Sequence, residues 1–122
     1  MGIKRYQDLE VWKLAHQAML ATYVIIETFP VNERFNLADQ MRRAALSVPA
    51  NIVEGFGRRK PKDKMRFYNM SQSSLQELEY FYRVARDRGY VSYPLPVNGQ
   101  LDSIGRMLTK LIQKTPDLPS SS

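Results

Sequence analysis

Apolar residues recur along this chain at alternating spacings of three and four, the period of helices that bury one stripe. From Asp8 to Thr28, Leu9, Trp12, His16, Met19, Tyr23 and Ile26 form a heptad seam, and Val11, Leu14, Ala18, Ala21 and Ile25 form a second beside it. Pro30 and Asn32 make a turn, after which a helix starting near Asn32 or Glu33 presents Leu37, Met41, Ala44, Val48 and Ile52. Pro49 falls inside that helix, where its missing N–H and its ring predict a kink or a short break. Gly55 and Gly57 suit a helix end at positive φ.

Pro61 is preorganised for the first position of a third helix. Its seams are Tyr68, Ser71, Leu75, Leu78, Tyr82 and Ala85, flanked by Phe67, Met70, Ser74, Phe81 and Val84, and Gly89 ends it. Tyr90 to Gly99, with Pro94 and Pro96, reads as a loop. A fourth helix carries Leu101, Ile104, Leu108 and Leu111, with Ile112 alongside.

No stretch alternates with the period of a strand. The predicted fold class is therefore all-α, an antiparallel up-down-up-down four-helix bundle. Residues 5–115 form its single domain and 116–122 a disordered tail with nothing to pack against. An isolated bundle needs one apolar stripe per helix, yet helices 1 and 3 carry two. The spare stripes suit either a broad core fitted with aromatics or self-association. We favour an oligomer whose interface uses Val11, Leu14, Ala18, Ile25, Phe67, Met70 and Phe81.

Composition narrows the class. A chain of 122 residues, 43% hydrophobic and 25% charged, holds one soluble core. With no cysteine, disulfides, thiolate metal sites and cysteine nucleophiles are excluded, which is compatible with the expected location, a reducing cytoplasm. The longest apolar-leaning run, Ala18 to Ile26, falls far short of the roughly 20 residues that span a bilayer, so no membrane partner is expected.

Charge is more informative about partners. Eighteen basic residues against twelve acidic give a net charge of +6, which favours a polyanionic partner. Arg58, Arg59, Lys60, Lys62, Lys64 and Arg66 place six cations in nine positions, opposed locally by Asp63. Up-down threading brings the start of helix 1, the helix 2–3 connection and the end of helix 4 to one tip. That tip adds Lys4, Arg5, Lys110 and Lys114 to the six, against Asp8, Glu10, Glu54, Asp63 and Asp117. Arg58 and Arg59 follow the end of helix 2, and Lys110 and Lys114 close helix 4, places where the backbone dipole welcomes cations; Lys60, Lys62, Lys64 and Arg66 have no such reason.

These ten residues read as a nucleic-acid-binding pole. With no helix-turn-helix, zinc-finger or RNA-recognition signature, readout is expected to be of low sequence specificity. Tyr6, Phe56, Phe67 and Tyr68 adjoin the pole and offer stacking surfaces, although core packing is the simpler role for the last three.

Catalytic candidates are weak, so the chain is expected not to be an enzyme and to need no cofactor or metal. His16, the single histidine, lies in an apolar seam and reads as a hydrogen-bonded core residue. Glu77 and Glu79 fall on opposite sides of helix 3, and Glu77 reads as semi-buried, paired with Arg42 or Arg43. Ser71, Ser73 and Ser74 have no neighbouring base and suit close helix packing. Gly55-Phe56-Gly57 lacks the spacing of a phosphate loop.

Three blocks carry a resemblance: Tyr6-Gln7-Asp8-Leu9-Glu10-Val11-Trp12, the stretch from Val48 through Pro49, Ala50, Asn51, Ile52, Val53, Glu54, Gly55, Phe56 and Gly57 to Arg58, and Ser74-Leu75-Gln76-Glu77-Leu78-Glu79. In order and spacing they resemble the bacterial four-helix bundle proteins encoded in 23S rRNA intervening sequences. The resemblance covers helices 1 to 3; helix 4 matches only in its leucine pattern. It implies an antiparallel bundle assembled as a ring, a homopentamer. It also implies a fold similar to the accessory variability determinant of diversity-generating retroelements, a basic pentameric bundle that binds a reverse transcriptase and nucleic acid. Ser73 departs from the glycine common in that family, which bears on how tightly helix 3 packs. The expected function is thus an oligomeric bundle binding RNA or other nucleic acid. The alternative is a protein-interaction adaptor for a reverse transcriptase or RNA-processing enzyme.

Overall fold

The computed structural model describes residues 2–92 and 95–117, with Pro96 and Asp117 described in backbone only. Tyr93, Pro94 and residues 118–122 of the expected tail lie outside the described residues. Four helices make up the fold: α1 (Glu10–Ile26), α2 (Leu37–Gly57), α3 (Pro61–Asp87) and α4 (Pro96–Lys114). Short 3-10 turns precede α1 at Tyr6–Asp8, join α1 to α2 at Val31–Glu33, and follow α4 at Thr115–Asp117. No strand occurs among the described residues.

Side-chain registers show that neighbouring helices run antiparallel. From α2 to α3, Phe56 meets Lys64, Val48 meets Ser71 and Ser47 meets Ser74, so one number falls as the other rises. From α3 to α4, Gln72 bonds Thr109 while Leu75 packs on Gly105. Each helix touches its two neighbours, α1 closing the circle against α4.

The core follows the expected seams on three helices. Leu37, Met41, Ala44, Val48 and Ile52 of α2 are buried, as are Tyr68, Ser71, Leu75, Leu78, Tyr82 and Ala85 of α3. On α4, Leu101, Ile104 and Leu108 are buried, and Leu111 and Ile112 are half-buried. Helix α1 is a correction. Its core side is Val11, Ala15, Ala18, Met19, Thr22 and Ile26, so Val11 and Ala18, expected at an interface between copies, are enclosed in the bundle itself. The small residues Ala15, Ala18 and Thr22 let α1 sit close to its partners, which leaves the bulkier Trp12, His16 and Tyr23 half-buried at its flank.

His16 is accordingly not a core residue; its ring stacks on Trp12 with centroids 4.9 Å apart. The polar pair inside the core is instead Thr22 with Tyr82. Thr22 Oγ1 donates to the Ala18 carbonyl at 2.8 Å and lies 2.7 Å from the Tyr82 hydroxyl, which must then be the donor between them.

Several boundaries also differ. Helix α2 starts later than expected because Val31–Glu33 takes a 3-10 turn first. It runs unbroken through Pro49, so no break occurs there. Helix α4 starts earlier, at Pro96, which opens the helix instead of punctuating a loop. Thr115 is buried and donates to the Leu111 carbonyl at 2.6 Å, so the chain after α4 turns against α3, where no packing was expected of Pro116.

At the tip that joins α1 to α2 and α3 to α4, Tyr90 clamps the two connections together. Its hydroxyl donates to Glu33 Oε2 at 2.6 Å, and its ring meets Phe29. The bonds from Tyr90 and then Asn36 hold the Glu33 carboxyl below the usual carboxylate range.

Candidate nucleic-acid interface

The opposite tip gathers the start of α1, the α2–α3 connection and the end of α4. The turn at Tyr6–Asp8 touches α2, and the turn at Thr115–Asp117 touches α3. All ten cations of the expected pole therefore belong to segments that reach this tip, but the structure gives them different work.

Lys64 is committed inward. Its Nζ donates to the Phe56 carbonyl at 2.8 Å, one of the acceptors at the end of α2, and reaches at 3.4 Å the Gly55 carbonyl, which also accepts from the Arg58 backbone N–H. Its ammonium also stands 5.5 Å from the Phe56 ring centre, and burial lowers its pKa. Arg58 pairs with Glu54 at 3.2 Å, and Arg5 lies 3.6 Å from Asp8. Lys4, Arg59, Lys60, Lys62, Arg66, Lys110 and Lys114 are exposed and have no ion pair among the described residues.

Arg59 and Lys60 fall in the three-residue gap between α2 and α3, with Lys62 in the first turn of α3. A connection this short cannot fold back on itself, so consecutive cations stay in solvent. Asp63 in that first turn offsets part of the unfavourable dipole.

The four aromatics of the tip are not equivalent. Tyr68 is buried against Gly55, and burial pushes its hydroxyl pKa up to about 12. Tyr6 meets the Trp12 ring edge-on at 5.0 Å. Phe67 is half-buried beneath two guanidiniums, Arg58 at 4.6 Å and Arg66 at 4.5 Å from its ring centre. Its π face steadies both cations, a role that residue spacing alone did not suggest.

Gly55 explains why α2 and α3 meet so closely here. A Cβ added to Gly55 would stand 2.6 Å from Tyr68 Cε1 and 3.2 Å from the Lys64 carbonyl oxygen. Gly55 and Gly57 are thus helical residues, not positive-φ helix ends; Gly89 is the positive-φ glycine of the described residues.

Of the remaining expected interface positions, Leu14, Ile25 and Phe81 are half-buried and Met70 is exposed. Glu77 is a second correction. It is exposed, and Arg42 and Arg43 bond Asp39 one turn back on their own helix. Glu79 faces Asp102 of α4, and burial together with that like charge raises its pKa. Ser71 and Ser74 lie between α2 and α3, Ser71 donating to the Val48 carbonyl at 2.7 Å. Among the described residues no three of His, Asp and Glu are grouped to hold a metal. No helix there is long and apolar enough to cross a membrane.

Residues 7–110 match the sequence model of the 23S rRNA-intervening sequence protein family. No curated protein matches the chain. A solved structure from Bacteroides thetaiotaomicron VPI-5482, described as a protein with unknown function from the S23 ribosomal protein family, is similar in fold. Its TM-score is 0.63 at 20% identity, over 88% of this chain and 95% of that one.

Proposed function

The chain belongs to the 23S rRNA-intervening sequence protein family, and on that footing we propose that it binds RNA or other nucleic acid through the basic tip, without strong sequence preference. The observation that carries this reading is the exposed row Arg59, Lys60 and Lys62, unpaired among the described residues, on the tip that also receives Lys4, Lys110 and Lys114. Phosphate contacts of this kind supply affinity but no sequence information. In this reading the protein works as a ring of copies, the homopentamer that the resemblance implies, in which adjoining tips add their fields. It is a cytoplasmic, non-enzymatic binder that uses no cofactor.

The test is a mobility shift at increasing salt. Reversing charge at Arg59, Lys60 and Lys62 is expected to abolish a salt-sensitive shift. Neutralising about five phosphates corresponds to a slope of roughly −3.5 in log affinity against log salt on single strands. Binding that survives the charge reversal would overturn the reading.

A second reading, a protein-interaction adaptor for a reverse transcriptase or RNA-processing enzyme, is favoured by Val31 and Phe35, apolar residues each left 86% exposed in the α1–α2 connection. Under it, partner capture persists in the charge-reversed protein.

A further inference from the structure

We propose that the groove beside the start of α3 receives an unpaired nucleobase, so that the basic tip prefers single strands to duplex; this rests on the nucleic-acid reading above. The groove encloses about 540 Å³ and is lined by Pro61, Lys62, Asp63, Met65, Arg66 and Asn69 of α3 and by Pro116. Lys62, Met65, Arg66 and Asn69 follow at helical spacings and share one face of α3. Burial of Thr115 turns the chain after α4 so that Pro116 closes the other side.

The chemistry of the lining differs from that of the exposed row next to it. A site for phosphate alone has no use for Pro61, Met65 and Pro116, which present apolar walls suited to the face of a ring, polarisable at the Met65 sulfur. Lys62 and Arg66 stand exposed at its rim, where a sugar-phosphate backbone would run. Asn69 offers both a donor and an acceptor to a base edge. Asp63 accepts only and repels phosphate, so it selects bases with an exocyclic amine. Adenine, cytosine and guanine each carry one, whereas uracil sets two carbonyls around its single N–H; adenine and cytosine serve as the test bases. Ligand sites commonly run from about 300 to 1,000 Å³, so there is room for a base with its sugar. In a duplex the bases are stacked and their edges are paired, and the groove stays unfilled.

Anisotropy titrations of the full chain at fixed low salt test this, with short labelled A, C and U homopolymers and an RNA hairpin of equal phosphate number whose strands are joined by a non-nucleotide linker, so that every base is paired. Single-stranded A and C are expected to bind about tenfold tighter than the hairpin, the order that stacking one base provides. Asn69→Ala and Met65→Ala should erase that preference while hairpin binding is unchanged, and Asp63→Asn should lift the U homopolymer towards the others. Asn69 is exposed, so its variant is expected to keep the fold. Equal affinity for strand and hairpin, or groove variants that keep the preference, would overturn the proposal. If neither form binds, the nucleic-acid reading itself fails, a distinct result that takes this proposal with it.

Discussion

Gly55 has no space for even one methyl group, since the buried Tyr68 ring and the Lys64 carbonyl occupy the position of its missing Cβ. Two effects oppose each other in Gly55→Ala. Alanine gains about 1 kcal/mol of helix propensity, while overpacking a filled interface costs about 1–3 kcal/mol. With a rigid ring at 2.6 Å the steric term is at its upper end, so net destabilisation of about 1–2 kcal/mol is expected in chemical denaturation. Gly57→Ala is the control, because nothing lies within 4 Å of its Cβ, and it should be neutral or stabilising. If both variants behave alike, the close approach is not what requires Gly55. The sequence could show that a glycine stood here but not why, because a glycine needed for space and one needed for positive φ look the same in one dimension. His16 misled for a related reason. Its seam spacing placed it inside, whereas Thr22 and Tyr82, which pattern as ordinary members of helices α1 and α3, carry the buried polar contact.

At the scale of elements, helices were legible and their rotations less so. Periodicity located the core of α2 and α4, which have one stripe each, and of α3, whose stripe from Tyr68 to Ala85 is buried while its second, Ser74 apart, is half-buried or exposed. Helix α1 has two stripes of similar hydrophobicity, and only the small size of Ala15, Ala18 and Thr22 distinguishes the side that packs. Lys64 shows how an element boundary can claim a residue that composition assigned to a surface. Its ammonium satisfies carbonyls at the end of α2 from a position on α3, so it ties the two helices together. Lys64→Met is therefore expected to lower stability by about 1 kcal/mol, the order of a cation at a helix C-terminus. The salt slope of nucleic-acid binding should stay unchanged. Lys62→Met, on the exposed row, should do the reverse, leaving stability within experimental error and making the slope shallower by about one phosphate contact. Denaturation and titration of the same two proteins settle the division of labour. A slope altered equally by both would return Lys64 to the binding surface.

For the whole molecule, enclosing Val11 and Ala18 moves the argument for self-association to another face. Trp12, His16, Leu20 and Val24 follow every fourth residue along the flank of α1. Tyr23 and Glu27 of α1 line a cleft with Ala38 and Arg42 of α2, which places this flank on the α2 side. Leu46 lies one turn beyond Arg42, and it follows Ala45, which lines one internal cavity together with Met19, the residue before Leu20. Leu20, Val24 and Leu46 remain 50%, 65% and 48% exposed, whereas Leu14 and Ile25 on the other flank are already half-covered. Exposed apolar residues on two neighbouring helices suit a contact with another protein surface. A second copy is the simplest occupant, because a ring of copies offers every subunit the same cover. Light scattering at micromolar concentration is expected to give an oligomer for the native chain and a monomer for the Leu20→Lys, Val24→Lys double variant, with helicity retained in both. The double variant should also bind RNA more weakly than the native chain, although it has gained two positive charges, because separated tips no longer add their fields. A native chain of monomeric mass would remove the ring, and each bundle would then bind through its own tip alone, with the seven exposed cations there that have no ion pair among the described residues.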